Sequence, residues 1–373
     1  MSISNPFVTF GYVSSKYFCD RTGETAKIID AVKNERNLTL YSLRRIGKTG
    51  LLKHVFRKLE REKNIECFYF DLSSTSNLSE LINVLGDGII GKFDSSGKRF
   101  FSKVTEIFSN LRPQISIDPL TGQPSLQLSI ENGNEAIHSL KHILEYIDSI
   151  GKKVILAFDE FQQIIHYPES NIEEIFRTHI QQTKNITYIF SGSSKHLVLS
   201  MFSEKKRPFY QSTELLHLDK IDRLKYLKFI KKMFSENGKK IADKNVEYIL
   251  NWTEIHTFYV QYVCNKIFAK TSGYVTDDLI RETLLEILNE NNDNFLQLKS
   301  LLPKNQWYLL KAIAKENGIK QITSQRFIAK HRLPSASSLA IALKALQNKE
   351  LVTLIDNKYK LENVFLQRWL ERE

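Results

Sequence analysis

Ser42-Leu43-Arg44-Arg45-Ile46-Gly47-Lys48-Thr49 is the stretch whose reading decides the fold. Before it, Asn37-Leu38-Thr39-Leu40-Tyr41 has the apolar content of a buried strand. After it, Leu51, Leu52, Val55, Phe56 and Leu59 recur at helical spacing and define one apolar face. A strand that turns directly into a helix leaves the first helical N–H groups without partners, and these donors face any anion placed at the turn. Gly47 allows close backbone approach, Lys48 brings a charge between the β- and γ-phosphates, and Thr49 offers a hydroxyl to Mg²⁺. Ser42 stands where the usual spacing has its first glycine. A serine limits backbone freedom there but leaves the phosphate-facing N–H groups in place. Gly-Lys-Thr alone occurs by chance; its position between strand and amphipathic helix makes it a P-loop. The nucleotide-contacting set is therefore Ser42, Arg44, Arg45, Ile46, Gly47, Lys48, Thr49 and Gly50. Arg44 and Arg45 suit the triphosphate, and equally suit pinning a neighbouring helix.

A second stretch carries the other half of the chemistry. Val154-Ile155-Leu156-Ala157-Phe158 is near-continuously apolar, as in a strand covered on both faces of a parallel sheet, and it ends in Asp159-Glu160. Ligands of open α/β sheets bind at the carboxyl ends of strands. Asp159 is the expected Mg²⁺ partner beside Thr49, and Glu160 the expected general base that polarises the attacking water. Ser191-Gly192-Ser193-Ser194 is read as following the next strand, 186–190, and Ser191 or Ser193 is the candidate to sense the γ-phosphate. A serine there also suits the N-cap of a helix starting near Lys195. Arg207, in Lys205-Lys206-Arg207-Pro208-Phe209-Tyr210, is the candidate arginine finger, from within the chain or from a neighbour, with an ion-pair role as the plainer alternative.

Outward from these motifs, strands and helices alternate across 36–216, the pattern of a doubly wound α/β domain. Residues 1–35 read as a strand or loop, then a helix from near Gly23. The turn-rich stretch near 93–135 reads as an insertion, with period-2 alternation around Ile115-Ser116-Ile117 and Ser125–Ile130 suggesting an edge hairpin. After Leu218 only helical patterns remain: 221–235, 241–250, 255–270 and 275–290. The last segment gives helices over 307–313, 324–331 and 337–349, the third preceded by the cap candidate Ser335. Leu351–Ile355 and Tyr359–Leu361 follow as a hairpin around Asp356-Asn357-Lys358. Three helices and a hairpin are the winged-helix arrangement, with the third helix offered to a DNA major groove. Its exposed side offers Ser337, Ser338, Lys344, Gln347 and Lys349 and no arginine. Arg326, Lys330, Arg332, Lys358 and Lys360 are candidates for phosphate contacts. The divisions are 1–218 for the ATPase core, 219–300 for a helical lid and 301–373 for the winged helix.

The 373 residues are ordinarily globular, with 42% hydrophobic and 25% charged side chains, so a full core can form. The net charge of +11 favours acidic partners, and residues 301–373 hold 13 Lys and Arg against 6 Asp and Glu. Cys19, Cys67 and Cys264 lie far apart and form neither a disulfide framework nor a zinc motif. No apolar run approaches a membrane span, and Met1–Pro6 lacks a basic segment leading into an apolar one, so a cytoplasmic chain without stable membrane insertion is expected. His138 and His142 share a helix face at ligand spacing, but the Glu of a metalloprotease helix motif is absent, and a polar surface is the expectation.

Together these stretches resemble archaeal and bacterial AAA-type ATPases of the STAND/ORC-like branch, which carry a C-terminal winged helix. Tyr17-Phe18-Cys19-Asp20-Arg21 with Glu24, the P-loop, Asp71-Leu72, Asp159-Glu160-Phe161-Gln162, Ser191–Ser194, Arg207–Tyr210 and Phe365–Leu370 carry the likeness over nearly the whole chain. The resemblance implies ATP and Mg²⁺ as ligands, with Tyr17–Glu24 near the base or ribose, and a helical lid. Family members often have Gly-x-Pro-Tyr/Phe in the lid; here Ile255-His256-Thr257-Phe258-Tyr259 lacks both glycine and proline. The leading expectation is an ATP-hydrolysing switch that couples nucleotide state to docking of lid and winged helix. The alternatives are an ATP-dependent protein that binds duplex DNA through 301–373, and a nucleotide-binding scaffold with little turnover. A protein partner or a homo-oligomer suits any of the three.

Overall fold

The computed structural model describes residues 4–90, 114–117, 124–127 and 133–373. The chain divides into two compact units: Phe10–Ile221, and Asp222–Glu373 together with the residues through Thr9.

The first unit is built on five parallel strands among the described residues. In chain order its elements are α1 (Thr22–Lys33), β1 (Leu38–Tyr41), α2 (Lys48–Leu59), β2 (Ile65–Asp71) and α3 (Leu78–Ile90). The paired strands β3 (Gln114–Ile117) and β4 (Pro124–Gln127) come next, antiparallel as the alternation suggested; the remainder of the 93–132 stretch lies outside the described residues. Then follow α4 (Gly133–Asp148), β5 (Lys153–Asp159), α5 (Ile172–Gln182), β6 (Ile186–Gly192), α6 (Lys195–Ser203) and β7 (Glu214–His217). The sheet order is β2-β5-β6-β1-β7.

Side chains alternate across a strand, so β5 serves two cores at once. Val154, Leu156 and Phe158 join Phe68, Phe70, Tyr188 and Phe190 under α3, α4 and α5. Ile155 and Ala157 join Leu38, Leu40 and Ile189 under α1 and α2. Each fully buried side chain of this kind is worth about 1.5–3 kcal/mol, which explains why the strand reads as continuously apolar. Gly88 lets α3 press onto β2, because a Cβ there would come within 2.4 Å of the Phe70 ring.

Among the described residues the lead-in before α1 forms no strand; Ser15–Tyr17 is a single 3-10 turn. The β6 strand runs to Gly192, two residues past its expected end, so Ser191 and Gly192 are strand residues.

The second unit begins with α7 (Arg223–Ser235), capped by Asp222, whose carboxylate accepts from Lys225 N at 3.0 Å. It continues through α8 (Asp243–Trp252), α9 (Thr257–Lys270), α10 (Asp277–Glu290) and α11 (Asn292–Leu301), a helix the sequence reading did not separate. Phe7 is buried between Phe234 and Phe268; Asn5 Nδ2 donates to Asn265 O at 2.9 Å, and Asn265 Nδ2 donates to Phe7 O at 2.7 Å.

The α8–α9 corner holds the Ile255–Tyr259 segment, which was expected in a lid and lacks glycine and proline. Its backbone keeps the shape those residues would give. Ile255 has φ 55°, the left-handed conformation a glycine takes without cost, and Glu254 before it has φ 51°. A β-branched residue held there costs on the order of 1–3 kcal/mol. Thr257 opens α9 at the first helical position, where proline is tolerated.

The winged helix comprises α12 (Lys304–Lys315), α13 (Gln325–His331), α14 (Ala336–Asn348), β8 (Val352–Ile355), β9 (Lys358–Leu361) and a closing helix α15 (Val364–Arg372). Ser335 caps α14, its side chain accepting from Ser338 N. Asp356 and Asn357 both have positive φ, the geometry of a tight two-residue hairpin. Ile319 exchanges two backbone bonds with Tyr359 and adds a third edge to the wing.

The α15 helix, quoted in the sequence only as a motif, ties the winged helix to α8 and α9. Phe365 packs on Trp252, Tyr259 and Tyr262, and Arg368 Nε donates to Trp252 O at 2.9 Å. Glu254 accepts from Gln367 Nε2 at 3.0 Å and from Lys360 Nζ at 3.1 Å. Lys360 was a candidate phosphate contact; its ammonium is instead committed to a half-buried carboxylate.

Candidate nucleotide site

The P-loop leaves β1 at Tyr41 and enters α2 at Lys48. Gly47, with φ 107°, is the N-cap and provides no side-chain cap, so the N-terminus of α2 keeps its donors for a ligand. Ser42 is fully buried and has an ordinary negative φ; the left-handed residues of the loop are Arg45 and Gly47. The backbone therefore does not require glycine at 42. The serine hydroxyl donates to Leu43 O at 2.7 Å and accepts from Lys48 Nζ at 3.4 Å, so it also steers the lysine. Lys48 is buried, Arg44 and Arg45 are exposed, and Gly50 faces Phe18. The Ile46 side chain is core, so only its backbone is offered to a ligand.

The Tyr17–Glu24 segment supports this loop. Arg21 is buried, pairs with Glu24 at 2.8 Å and donates to Ile46 O at 3.4 Å. Phe18 stacks on His54 of α2 at 4.6 Å, and Tyr12 OH lies 2.8 Å from His54 Nδ1. Burial, then the charge of Lys58, lowers the His54 pKa.

Asp159 ends β5 and is buried. Its Oδ2 accepts from Thr49 Oγ1 at 2.6 Å and from Tyr69 OH at 2.7 Å, and its Oδ1 from Glu160 N at 3.1 Å. Burial and the neighbouring Asp159 charge push the Tyr69 phenol far above its ordinary value, so it stays a donor. Glu160 has φ 54°, which turns its side chain out of the strand direction. Its Oε2 accepts from Ser193 Oγ at 2.7 Å, Ser193 N at 3.1 Å and Gln162 Nε2 at 2.6 Å. Ser194 occupies the N-cap position of α6, but its side chain makes no cap bond. Ser191 is buried on β6 and its hydroxyl has no hydrogen-bond partner, as does Gln162 Oε1. A buried hydroxyl without a partner costs roughly 1–3 kcal/mol, and a phosphate oxygen or water would remove that cost.

Arg207 is held elsewhere. Its guanidinium lies 2.6 Å from Glu173 of α5, and among the described residues no bond joins it to the P-loop, Asp159 or Glu160. Burial raises the Glu173 pKa although Arg207 pulls it down. Phe209, two residues on, is fixed edge-on to Phe161 at 5.4 Å. His138 and His142 are exposed on α4, and no group of three or more His, Cys, Asp or Glu side chains forms a metal cage among the described residues. The donors present, one hydroxyl beside one carboxylate next to a phosphate-facing helix end, fit Mg²⁺ held largely by phosphate and water.

Tyr69, Gln162 and Arg21 were not assigned roles from the sequence. Gln162 lies two residues past the Asp-Glu pair and Arg21 inside a quoted motif, so both were visible but mute. Tyr69 gave no signal, because only the β2–β5 pairing brings it to Asp159.

A family described as "ATPase domain predominantly from Archaea" matches residues 18–263, and one described as "Probable winged helix domain" matches residues 293–372. The chain belongs to the first of these families, which spans about two thirds of it. An uncharacterised ATP-binding protein of Methanocaldococcus jannaschii is 24% identical over 286 residues, covering 71% of this chain and 78% of the relative. The Walker-type ATPase of Pyrococcus abyssi has a TM-score of 0.64 at 18% identity, covering 98% of this chain and 99% of that one. Aeropyrum pernix ORC1, solved in complex with DNA, has a TM-score of 0.54 at 11% identity, covering 99% and 97%. The fold is thus an AAA-type P-loop ATPase core with a C-terminal winged helix, and family membership implies ATP binding. No helix among the described residues is long and apolar enough to cross a membrane.

Proposed function

We propose that this protein hydrolyses ATP and uses its nucleotide state to govern binding of duplex DNA by residues 301–373. The observation that carries the reading is the pairing of a preorganised P-loop site with a set of uncommitted cations on the winged helix. Arg326, Arg332, Lys344, Lys349 and Lys358 are exposed and have no ion pair among the described residues. The solved ORC1 structure of similar fold is a DNA complex, which supports the same reading.

In the nucleotide site, Lys48 and the N-terminal amides of α2 bind the phosphates, and Ser191 offers its spare hydroxyl to the γ-phosphate or the water. Thr49 and Asp159 would hold Mg²⁺, which neutralises charge on the β- and γ-oxygens when bound. Three donors already occupy Glu160 Oε2, leaving Oε1 for the water. Glu160 takes the water proton as the new O–P bond forms. The bond from the γ-phosphorus to the bridging oxygen breaks, and ADP leaves with that electron pair. Arg207, released from Glu173, is the candidate to meet the transferring phosphoryl group, within this chain or across to a second copy.

The test is ATP turnover with and without duplex DNA over a range of protein concentration, alongside duplex retention in ATP and in ADP. Turnover that responds to DNA, and retention that differs between the nucleotides, are expected. Absence of duplex retention at low salt in both nucleotides would sink the DNA part. Phosphate release unchanged in Glu160→Gln would sink the assigned base.

A further inference from the structure

The exposed face of α14 carries more information than its charge. The inner face, Leu339, Ala342, Leu343 and Leu346, is buried in the winged-helix core. The outer face presents Ser337, Ala340, Ile341, Lys344 and Asn348 at spacings that place them along one stripe. At its centre Ile341 is 74% exposed. A β-branched alkyl group is a poor choice for a solvated helix position on propensity alone.

What surrounds Ile341 selects the partner. The five uncommitted cations lie on α13 (Arg326), directly after it (Arg332), on α14 (Lys344), directly after it (Lys349) and on the wing (Lys358). In the same winged helix Lys330 pairs with Glu316, Lys360 with Glu254 and Arg368 with Glu371, while Lys304 and Lys315 on α12, Lys320 beyond it and Arg372 on α15 are also exposed without an ion pair among the described residues. A helix framed by unpaired positive charge suits the phosphates on either side of a major groove. A protein partner would need a complementary acidic rim around an alkyl-sized pocket, a narrower requirement.

The chemistry of the stripe then limits what it can read. It has no arginine, which leaves Lys344 as its one side chain able to pair with guanine, and the Ser337 hydroxyl lies 3.1 Å from that of Ser335. The central group is a branched alkyl chain with no donor or acceptor. The thymine C5-methyl is the apolar group on major-groove base edges. Resting on the DNA reading above, we propose that Ile341 reads thymine methyl groups, giving a preference for A·T-containing duplex, with the five cations anchoring the flanking phosphates.

The experiment uses the full chain with ATP and Mg²⁺ and two duplexes of one A·T-rich sequence. In the second duplex every thymidine is replaced by deoxyuridine, which keeps pairing and removes only the methyl groups. Fluorescence anisotropy should show the uridine duplex bound about 3–10-fold more weakly, as expected for one or two lost methyl contacts. Ile341→Ala should bind the two duplexes equally, with melting temperature and DNA-free ATP turnover unchanged. Parent protein that binds both duplexes alike overturns the methyl reading and leaves the DNA reading standing. No binding of either at low salt overturns the DNA reading itself. A preference that persists in Ile341→Ala removes the role from this residue. A change in sedimentation mass on Ile341→Ala, with duplex binding unaltered, overturns the proposal in favour of a face between copies of the chain.

Discussion

The nucleotide site and the outer face of the winged helix, for which we propose a DNA partner, keep their polar groups in opposite states. Around the P-loop nearly every assigned side chain is already engaged: Ser42 with Lys48, Thr49 and Tyr69 with Asp159, Ser193 and Gln162 with Glu160. On the winged helix, Arg326, Lys344 and Lys358 stand in solvent without an ion pair among the described residues. Burial explains the difference. A buried group left unpaired costs about 1–3 kcal/mol, so the site must be preorganised before ligand arrives. An exposed cation costs little alone and is worth more to a polyanion, where each contact releases counterions. Substitutions in the first region should therefore be large and specific, and in the second small and additive.

The largest effects are expected at the P-loop and at Glu160, the proposed base. Lys48→Ala should lower phosphate release at least about 100-fold, and Glu160→Gln should do likewise while ATP binding survives. A Glu160→Gln enzyme that also loses ATP affinity would show that the carboxylate holds the site rather than performing chemistry. Tyr69→Phe removes one of two donors to Asp159 Oδ2. The Mg²⁺ concentration for half-maximal turnover should rise about 10-fold with a smaller change in kcat.

A third contrast is in pH. His54, His179 and His217 all have pKa values lowered, first by burial. Below about pH 6.5 the unfolded chain binds more protons than the folded one. The stability these residues contribute is thus present above that pH and is lost as pH falls toward their folded values. Melting temperature should decline from pH 7 to pH 5, and His54→Gln, which can still meet Tyr12, should shallow the decline. The smallest effect is expected at the rim. Arg326→Ala or Lys358→Ala should leave stability within about 0.5 kcal/mol and DNA-free turnover unchanged. Each should reduce the slope of log K against log salt by about 0.9.

Much of this was legible in the linear chain. Gly47-Lys48-Thr49 between strand and helix, the apolar run into Asp159-Glu160 and the three-helix-and-hairpin ending all follow local periodicity and turn chemistry. Ser42 looked like a departure that weakened the motif. The structure removes that concern, because its φ is negative and its hydroxyl serves Lys48. Ile255 stands where family members often have glycine, and its backbone keeps the left-handed turn. Lys330 and Lys360 are candidate phosphate contacts by sequence, but Glu316 and Glu254 pair with them in the fold.

The sequence by itself determined which residues could do phosphate chemistry, since glycine conformation, lysine charge and strand-end carboxylates are properties of short segments. It also determined the alternation that makes a sheet with two covered faces. The tertiary structure alone decided the company those residues keep. Only the order β2-β5-β6-β1-β7 sets Ser193 beside Glu160 and Tyr69 beside Asp159. Only the packing of α15 on α8 and α9 turns Lys360 inward. Pairing between distant strands and helices is settled by total burial and hydrogen bonding, and no local periodicity records which partner wins.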